Sequence, residues 1–439
     1  MTQFAWLWIA TLILKLLLSG ILPLAPDEAY YWVWSHHFQL SYYDHPPFVA
    51  WLFAIAQPME SIFSIVRWPA VLLGHLAFWF WLPLFRNILS GRQLLVWAAL
   101  WLTSPLTGPG SMVVTPDLPL LFFWPLALWA LLRTLETRSI AWASLLGLAL
   151  GLGFCSKYHM GLFGILAIAW LTWERKFSRD LVVPILACVV FFFIFSSPVW
   201  IWNAQNDFVS FKFQMNHGLG GESWKPFWTW SYVLGQILLL FPLVSWAAAN
   251  GLRKEPLPLW LKVFAIGPLL FFFATSFKGK VEANWPIVAY PFVFAIASRQ
   301  LARWQVWSTS AVWMGIFVIL AADLSLGVLP ETNNPLKTKE IREFSRLGEI
   351  TRDSRPLYAH SYQMASKMSF DLKEPIYKLQ GNGRRDFFDT LDASRPRDSL
   401  FYFLTYERHG LPHGYDGYQI VTRQSLGSGY ELLEVRMEQ

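Results

Sequence analysis

Residues 4–22 read "FAWLWIATLILKLLLSGIL", one lysine in an otherwise apolar run. At about 1.5 Å of rise per helical residue, such a run crosses most or all of the ~30 Å hydrocarbon core of a bilayer. It lacks a basic start and a small-x-small cleavage site, so it is read as a retained first helix rather than a leader. Further runs of the same kind follow at 67–85, 93–110, 118–132, 140–155, 158–173, 181–202, 228–249, 258–276, 285–298 and 305–323, eleven with the first. Composition agrees: 55% of the 439 residues are hydrophobic and 15% charged, with 26 Trp and 36 Phe, more apolar surface than one soluble core could hide.

The interruptions fix an orientation. With the N-terminus inside, every second run ends in the cytoplasm, where loops are enriched in Lys and Arg. Those ends carry Arg86/Arg92, Arg133/Arg138, Arg175/Lys176/Arg179, Arg253/Lys254 and Arg299/Arg303. The net charge of +6 therefore reflects membrane topology, and a nucleic-acid partner is not indicated. An odd number of spans leaves the tail on the outer face. The fold expected is a multispan α-helical membrane protein, residues 1–330 with an outer loop at 23–66, followed by a small extracytoplasmic domain at 331–439. Of the 29 acidic residues, 13 fall in residues 1–330 and 16 in the last 109, so the chain changes character near that boundary. Cys155 and Cys188 lie in or beside apolar runs and suggest neither a disulfide frame nor a metal site.

Glu136, Glu174, Asp180 and Glu255 accompany the cytoplasmic arginines, whereas Asp27, Glu28, Asp44, Asp117 and Glu282 fall at the outer rim beside Trp, Tyr and Pro. In "PDEAYYWVW" (26–34) the acids open a segment whose Ala29, Tyr30, Trp32, Val33 and Trp34 could coat one side of an interfacial helix; acids in a first turn are also ordinary helix-start signals. "YYDHPP" (42–47) sets Tyr43, Asp44 and His45 before a double proline, either a rigid polar turn or a plain helix start. In "TPDLP" (115–119) Asp117 stands between prolines at the mouth of an apolar run; a carboxylate there is functional or paired, or else an N-cap. Lys157, in "GLGFCSKYHMGLFGILAI" (151–168), either snorkels to the headgroups or binds an anion. "SFKGKVEANWP" (276–286) puts Lys278, Lys280, Glu282, Asn284 and Trp285 on a short outer connection, against the positive-inside bias, as an outer anionic group would require.

His36, His37 and His45 show neither HExxH spacing nor a Cys/His frame, so no metal site is read from them, although a divalent ion held by Asp27, Asp44 or Asp117 stays open as an alternative. The absence of a Gly-rich phosphate loop argues against a nucleotide donor.

Taken together, "PDEAYYW", "YYDHPP", "TPDLPLLFFW" and "SKYHMGLF" resemble the GT-C membrane glycosyltransferases, in particular the bacterial branch similar to lipid A 4-amino-4-deoxy-L-arabinose transferase and protein O-mannosyltransferases. The similarity covers most of residues 1–330. It implies transfer of a sugar from a polyprenyl-monophosphate carrier to an outer-face acceptor (lipid A, another glycolipid, a glycan or a protein), with inversion, at the inner membrane. It further implies Asp27 as base, Lys157 as a carrier-phosphate ligand, and Glu28 and Asp117 positioning sugar or acceptor hydroxyls. Lys278 and Lys280 would add phosphate contacts; Tyr30, Tyr43, Asp44, His45, Glu282, Asn284 and Trp285 would line the substrate. The relatives' acid-Lys-Pro turn is here Asp44-His45-Pro46, without the fixed cation. The other reading is a non-catalytic polyprenyl-linked glycan transporter or assembly protein. In the tail, "PLYAHSYQMASKMSF", "EPIYKLQ", "SLFYFLTYE" and "YELLEVRM" read as short strands with one or two helices, with Tyr358, His360 and Tyr362 as weak pointers to substrate selection.

Overall fold

A computed structural model of the chain describes residues 2–61, 65–220, 223–330 and 338–438. Residues 62–64 of the expected outer loop and 331–337 at the expected domain boundary lie outside the described residues. Two compact units emerge, Met1–Ile21 with Gln39–Ile319 and Leu22–Phe38 with Leu320–Gln439. The outer loop is thus divided, its first part belonging with the tail.

The first unit is helical: α1 (Thr2–Ile21), α3 (Phe48–Ala56), α4 (Trp68–Phe85), α5 (Gly91–Thr103), α6 (Asp117–Thr137), α7 (Ile140–Ser156), α8 (Met160–Trp173), α9 (Val182–Gln205), α10 (Val209–Leu219), α11 (Pro226–Leu240), α12 (Pro242–Lys254), α13 (Leu259–Thr275), α14 (Tyr290–Ala297) and most of α15 (Arg303–Leu326). Every apolar run of the sequence overlaps one of these helices. Among the described residues five helices are long and apolar enough to span a membrane, six if α11 and α12 count as one broken span. The run at 228–249 is not one straight helix, because the chain turns by 93° at Phe241. Pro242 cannot continue the hydrogen-bond ladder of α11, and Phe241 is forced to a φ of 68°, a strained value for a bulky side chain.

Helix packing is closest where α7 meets α9. A Cβ on Gly147 would stand 2.3 Å from the Cys188 carbonyl oxygen, and one on Gly151 would stand 2.8 Å from that of Phe192. The Gly147-x-x-x-Gly151 stripe lets the two backbones approach as membrane helices do. Tryptophans fill the interior as well as the rim: Trp81 donates to the Leu121 carbonyl at 3.0 Å and Trp97 to that of Pro291 at 3.1 Å, satisfying the indole N–H groups in an apolar core. On α9 the apolar Val183, Leu186, Val190, Phe193 and Ile194 are exposed, the surface expected to meet lipid. Lys15, the one lysine of the first apolar run, is buried and donates to Ser111 Oγ at 2.7 Å.

The second unit holds α2 (Pro26–His36), α16 (Thr338–Ile350), α17 (Tyr362–Leu372) and a five-stranded sheet of β1 (Leu357–Ala359), β2 (Tyr377–Lys378), β3 (Leu400–Tyr406), β4 (Tyr418–Gly427) and β5 (Tyr430–Met437), in the order β2-β1-β3-β5-β4. The β1 pairings are parallel and those of β5 antiparallel. Tyr358, Phe401, Phe403, Leu433 and Val435 form its core. Helix α2 departs from expectation: Glu28 through Ser35 are all buried, and Trp32 meets Phe370 of α17 edge-on at 5.2 Å. Its aromatic face packs within the protein instead of lying along a membrane surface.

Candidate active site

Three chain connections of the first unit converge on one carboxylate. Asp117 is the first residue of α6, Lys157 closes α7, and Asn284 sits in the turn before α14. Lys157 Nζ donates to Asp117 Oδ1 at 2.7 Å, and Asn284 Nδ2 donates to Oδ2 at 2.6 Å. An anion at a helix start and a cation at a helix end both complement the helix dipoles, which favours this placement. Asp117 and Lys157 have only 5% and 7% of their side chains exposed. Lys157 therefore does not snorkel, and Asp117 is not an N-cap, that position being Pro116. An ammonium has three N–H donors, and among the described residues Lys157 uses one. A buried cation held in place with donors to spare is suited to receive an anionic ligand.

Next to this pair lies His159, a residue the sequence reading passed over. It is within electrostatic reach of Lys157 and His45, and its buried Nδ1 has no hydrogen-bond partner among the described residues. Trp285 closes over it, the ring centroids 5.4 Å apart, and rests on Phe272. The turn at 42–47 comes to the same unit's α10: Tyr43 packs on Phe213 with centroids 5.0 Å apart, and Gln214 Nε2 donates to the Asp44 carbonyl. Asp44 is buried. Arg67, also passed over, is a buried arginine at the start of α4 that donates to the Ser19 carbonyl at 3.0 Å. The only signal for it in sequence was a cation before an apolar run, on the side where cations are sparse.

Lys278 and Lys280, grouped from sequence with Lys157, stay apart from the buried cluster. Both are exposed, and Lys280 pairs with Glu282 at 2.9 Å with more than half of each side chain in solvent. An exposed pair avoids the desolvation cost of the interior, and neither Lys280 nor Glu282 contacts Asp117 or Lys157 among the described residues. Of that connection, only Asn284 and Trp285 reach the cluster.

The second unit carries the remaining candidates. Asp27 is exposed and accepts a hydrogen bond from Tyr362 OH at 3.2 Å. Glu28 is buried at the third helical position, one oxygen accepting the Ala25 N–H at 2.9 Å, as a helix-start carboxylate does. Tyr30 is buried, its hydroxyl receives the Phe387 N–H at 2.8 Å, and its ring lies 4.4 Å from that of Tyr362. The structure gives Tyr30 a packing and anchoring role within the second unit. His36 Nδ1 lies 3.0 Å from the Trp32 carbonyl. Among the described residues no three His, Cys, Asp or Glu side chains gather as a metal would require.

The model of the family described as dolichyl-phosphate-mannose-protein mannosyltransferase matches residues 44–202. The chain is 27% identical over 297 residues to the lipid A galacturonosyltransferase RgtD of Rhizobium johnstonii, covering 63% of this chain and 59% of that protein. It is 25% identical over 309 residues to an undecaprenyl phosphate-alpha-4-amino-4-deoxy-L-arabinose arabinosyl transferase of Pseudomonas fluorescens, covering 62% and 56%. The chain spans about half the length of the curated relatives it matches. Its fold superposes on the crystal structure of ArnT from Cupriavidus metallidurans in the apo state, with a TM-score of 0.67 and 15% identity over 99% of this chain and 98% of that one. The undecaprenyl-phosphate-bound form gives 0.63 and 14% over the same shares. At such identities the likeness establishes a shared fold alone, and with the apolar helices it is that of a multispan helical membrane protein.

Proposed function

We propose that the protein is an integral membrane glycosyltransferase that moves a sugar from a polyprenyl-monophosphate carrier to an acceptor on the outer face of the bacterial cytoplasmic membrane. Lipid A, the acceptor in the name of the similar galacturonosyltransferase RgtD, is favoured ahead of another glycolipid, a glycan or a protein. The observation that carries the reading is the buried Lys157 ammonium, fixed by Asp117, itself held by Asn284, with donors unused among the described residues. When the bond from sugar carbon to carrier oxygen breaks, negative charge gathers on the leaving phosphate. A preorganised cation in a water-poor site stabilises that charge far better than solvent would. His159, within electrostatic reach of Lys157 and of His45, adds a polar group near the same ammonium.

In this reading Asp27 is the base that removes the proton from an acceptor hydroxyl as its oxygen bonds to the sugar carbon, and the polyprenyl phosphate departs from the opposite face. Its exposure and its motif support the role. Glu28 and Asp44 are assigned to holding the local turns; Tyr43, His45, Asn284 and Trp285 are assigned to the substrate region. Lys278, Lys280 and Glu282 are left as outer-surface charges.

The finer topology belongs to the same proposal: eleven spans, N-terminus inside, residues 331–439 outside. Ion pairs support it. Arg299 binds both Glu255 and the Ile88 carbonyl, each at 2.7 Å, so the connections after α4, α12 and α14 share one face. Arg138 and Asp180 tie together the connections after α6 and α8 at 2.7 Å. Asp117, Lys157 and Asn284 join the other ends of α6, α7 and α14.

The test is mass analysis of envelope lipids and glycans from a strain lacking the gene, complemented with wild type or Asp27→Asn. Loss of one sugar modification, restored by wild type, is expected. General-base help is typically worth about 10²–10⁴-fold, so Asp27→Asn should restore little of it. An unchanged envelope would favour a non-catalytic transporter or assembly protein, and full restoration by Asp27→Asn would remove the base assignment.

A further inference from the structure

Away from the Asp117 cluster, α1, α5 and α15 enclose a cavity of about 680 Å³. Its walls are apolar, with Leu14, Leu95, Ala99, Val306, Met314 and Phe317 among them. One end differs: Arg92, in the first turn of α5, and Arg303, which opens α15, both line it. No lining residue is acidic, and among the described residues neither arginine forms an ion pair or hydrogen bond. On the same face Arg133, Arg138 and Arg299 have a carboxylate partner, whereas Arg86 and Arg253, like Arg92 and Arg303, show none among the described residues; what distinguishes Arg92 and Arg303 is that both line the cavity.

The dimensions are those of half a bilayer. Lining residues run from Arg303 to Phe317 on α15, about 21 Å of helix, and from Leu7 to Leu18 on α1, about 16 Å. Half of the hydrocarbon core is ~15 Å. Trp304 and Trp307 flank Arg303 and are 65% and 66% exposed, as aromatic residues at headgroup level are. Lys15 lines the far end, but its amino group is turned onto Ser111, leaving the alkyl stem to the groove.

We propose that this cavity is a binding site for an anionic glycerophospholipid of the membrane leaflet that contains Arg92 and Arg303, its phosphate between the two guanidiniums and one acyl chain in the groove. Planar guanidiniums suit a phosphate, and basic pockets between membrane helices hold anionic headgroups for this reason. The carrier lipid of the proposed reaction is not the occupant, since the arginines lie at the start of α5 and the end of the connection after α14, the face opposite Asp117 and Lys157. Only the naming of that leaflet as cytoplasmic rests on the proposed topology.

The full-length protein, purified in detergent, is titrated with phosphatidylglycerol, phosphatidylcholine or undecaprenyl phosphate, and bound lipid is read by native mass spectrometry. No sugar donor is present, so the outcome is independent of whether transfer occurs. Wild type is expected to retain one phosphatidylglycerol, and Arg92→Gln/Arg303→Gln to bind it about tenfold more weakly or worse. Arg86→Gln, on the same face outside the cavity, should bind as wild type does. Ala99→Phe, which fills the groove and leaves both arginines, should also lose the lipid; it decides the matter if the double variant fails to fold. Equal retention of phosphatidylcholine, unchanged binding by Arg92→Gln/Arg303→Gln or by Ala99→Phe, or displacement of phosphatidylglycerol by an equimolar amount of undecaprenyl phosphate would each overturn the proposal.

Discussion

Burying an aspartate and a lysine together costs several kcal/mol of hydration per ion, which their attraction repays only in good geometry. Asp117 and Lys157 have that geometry, and Asn284 satisfies the second carboxylate oxygen. Removing one partner strands the other, so Lys157→Ala should lose about 3–5 kcal/mol of stability as well as donor use. That amends the expectation from sequence, in which a Lys157 facing the carrier phosphate could be removed with folding retained. Asp117→Asn with Lys157→Met removes both charges and should recover most of the stability while slowing transfer by about 10²-fold or more; thermal unfolding of the three proteins in one detergent checks this. The sequence displayed both residues and their shared face, because each interrupts an apolar run. It could not display their pairing, 40 positions apart, nor the turn that brings Asn284 to them. His360 gives a second residue-level test. Burial above all, with the nearby His409 and Lys378, pushes its pKa from near 6.5 down to about 4, while its Nδ1 lies 2.8 Å from Thr405 Oγ1. The folded tail thus prefers the neutral ring. Its stabilising contribution is complete above pH 6.5 and is lost as pH falls toward 4, where the unfolded chain binds the proton first. Hydrogen exchange in β1 and β3 should rise over that window, and His360→Gln should flatten the rise.

At the scale of elements, hydropathy located the helices because lipid imposes a length and an apolar surface on each. It could not anticipate the 93° break at Phe241, since the residues around it are apolar on both sides and only Pro242 marks the place. Strand β4 went unread for the opposite reason: "YQIVTRQSLG" is largely exposed, an edge strand whose polar residues carry no burial signal. The α7–α9 contact is the element-level prediction. Gly151→Leu would drive a side chain into the Phe192 carbonyl and Phe195, and should lower the thermal midpoint and the yield of monodisperse protein. Gly161→Leu, on α8 where a Cβ meets nothing within 4 Å, should leave both unchanged.

For the whole molecule, the balance of the tail, 16 acidic and 16 basic residues, separated it from the membrane body in sequence. The membership of residues 22–38 in the tail's unit was not legible, because α2 is a short aromatic helix whose burial depends on partners more than 300 positions away. Topology is tested by a reporter fused at residue 335, expected to be active only outside the cytoplasm. The central claim is sugar transfer from a polyprenyl-phosphate donor at the Lys157 site. Its most direct measurement is transfer to lipid A by the purified full-length protein in proteoliposomes, supplied with undecaprenyl-phosphate-linked 4-amino-4-deoxy-L-arabinose or galacturonic acid. Wild type should transfer one of these sugars, and the Asp117→Asn/Lys157→Met protein, folded to a similar stability, should be slower by about 10²-fold or more, the scale of losing a preorganised charge contact. A stable double variant that transfers at the wild-type rate would contradict the account.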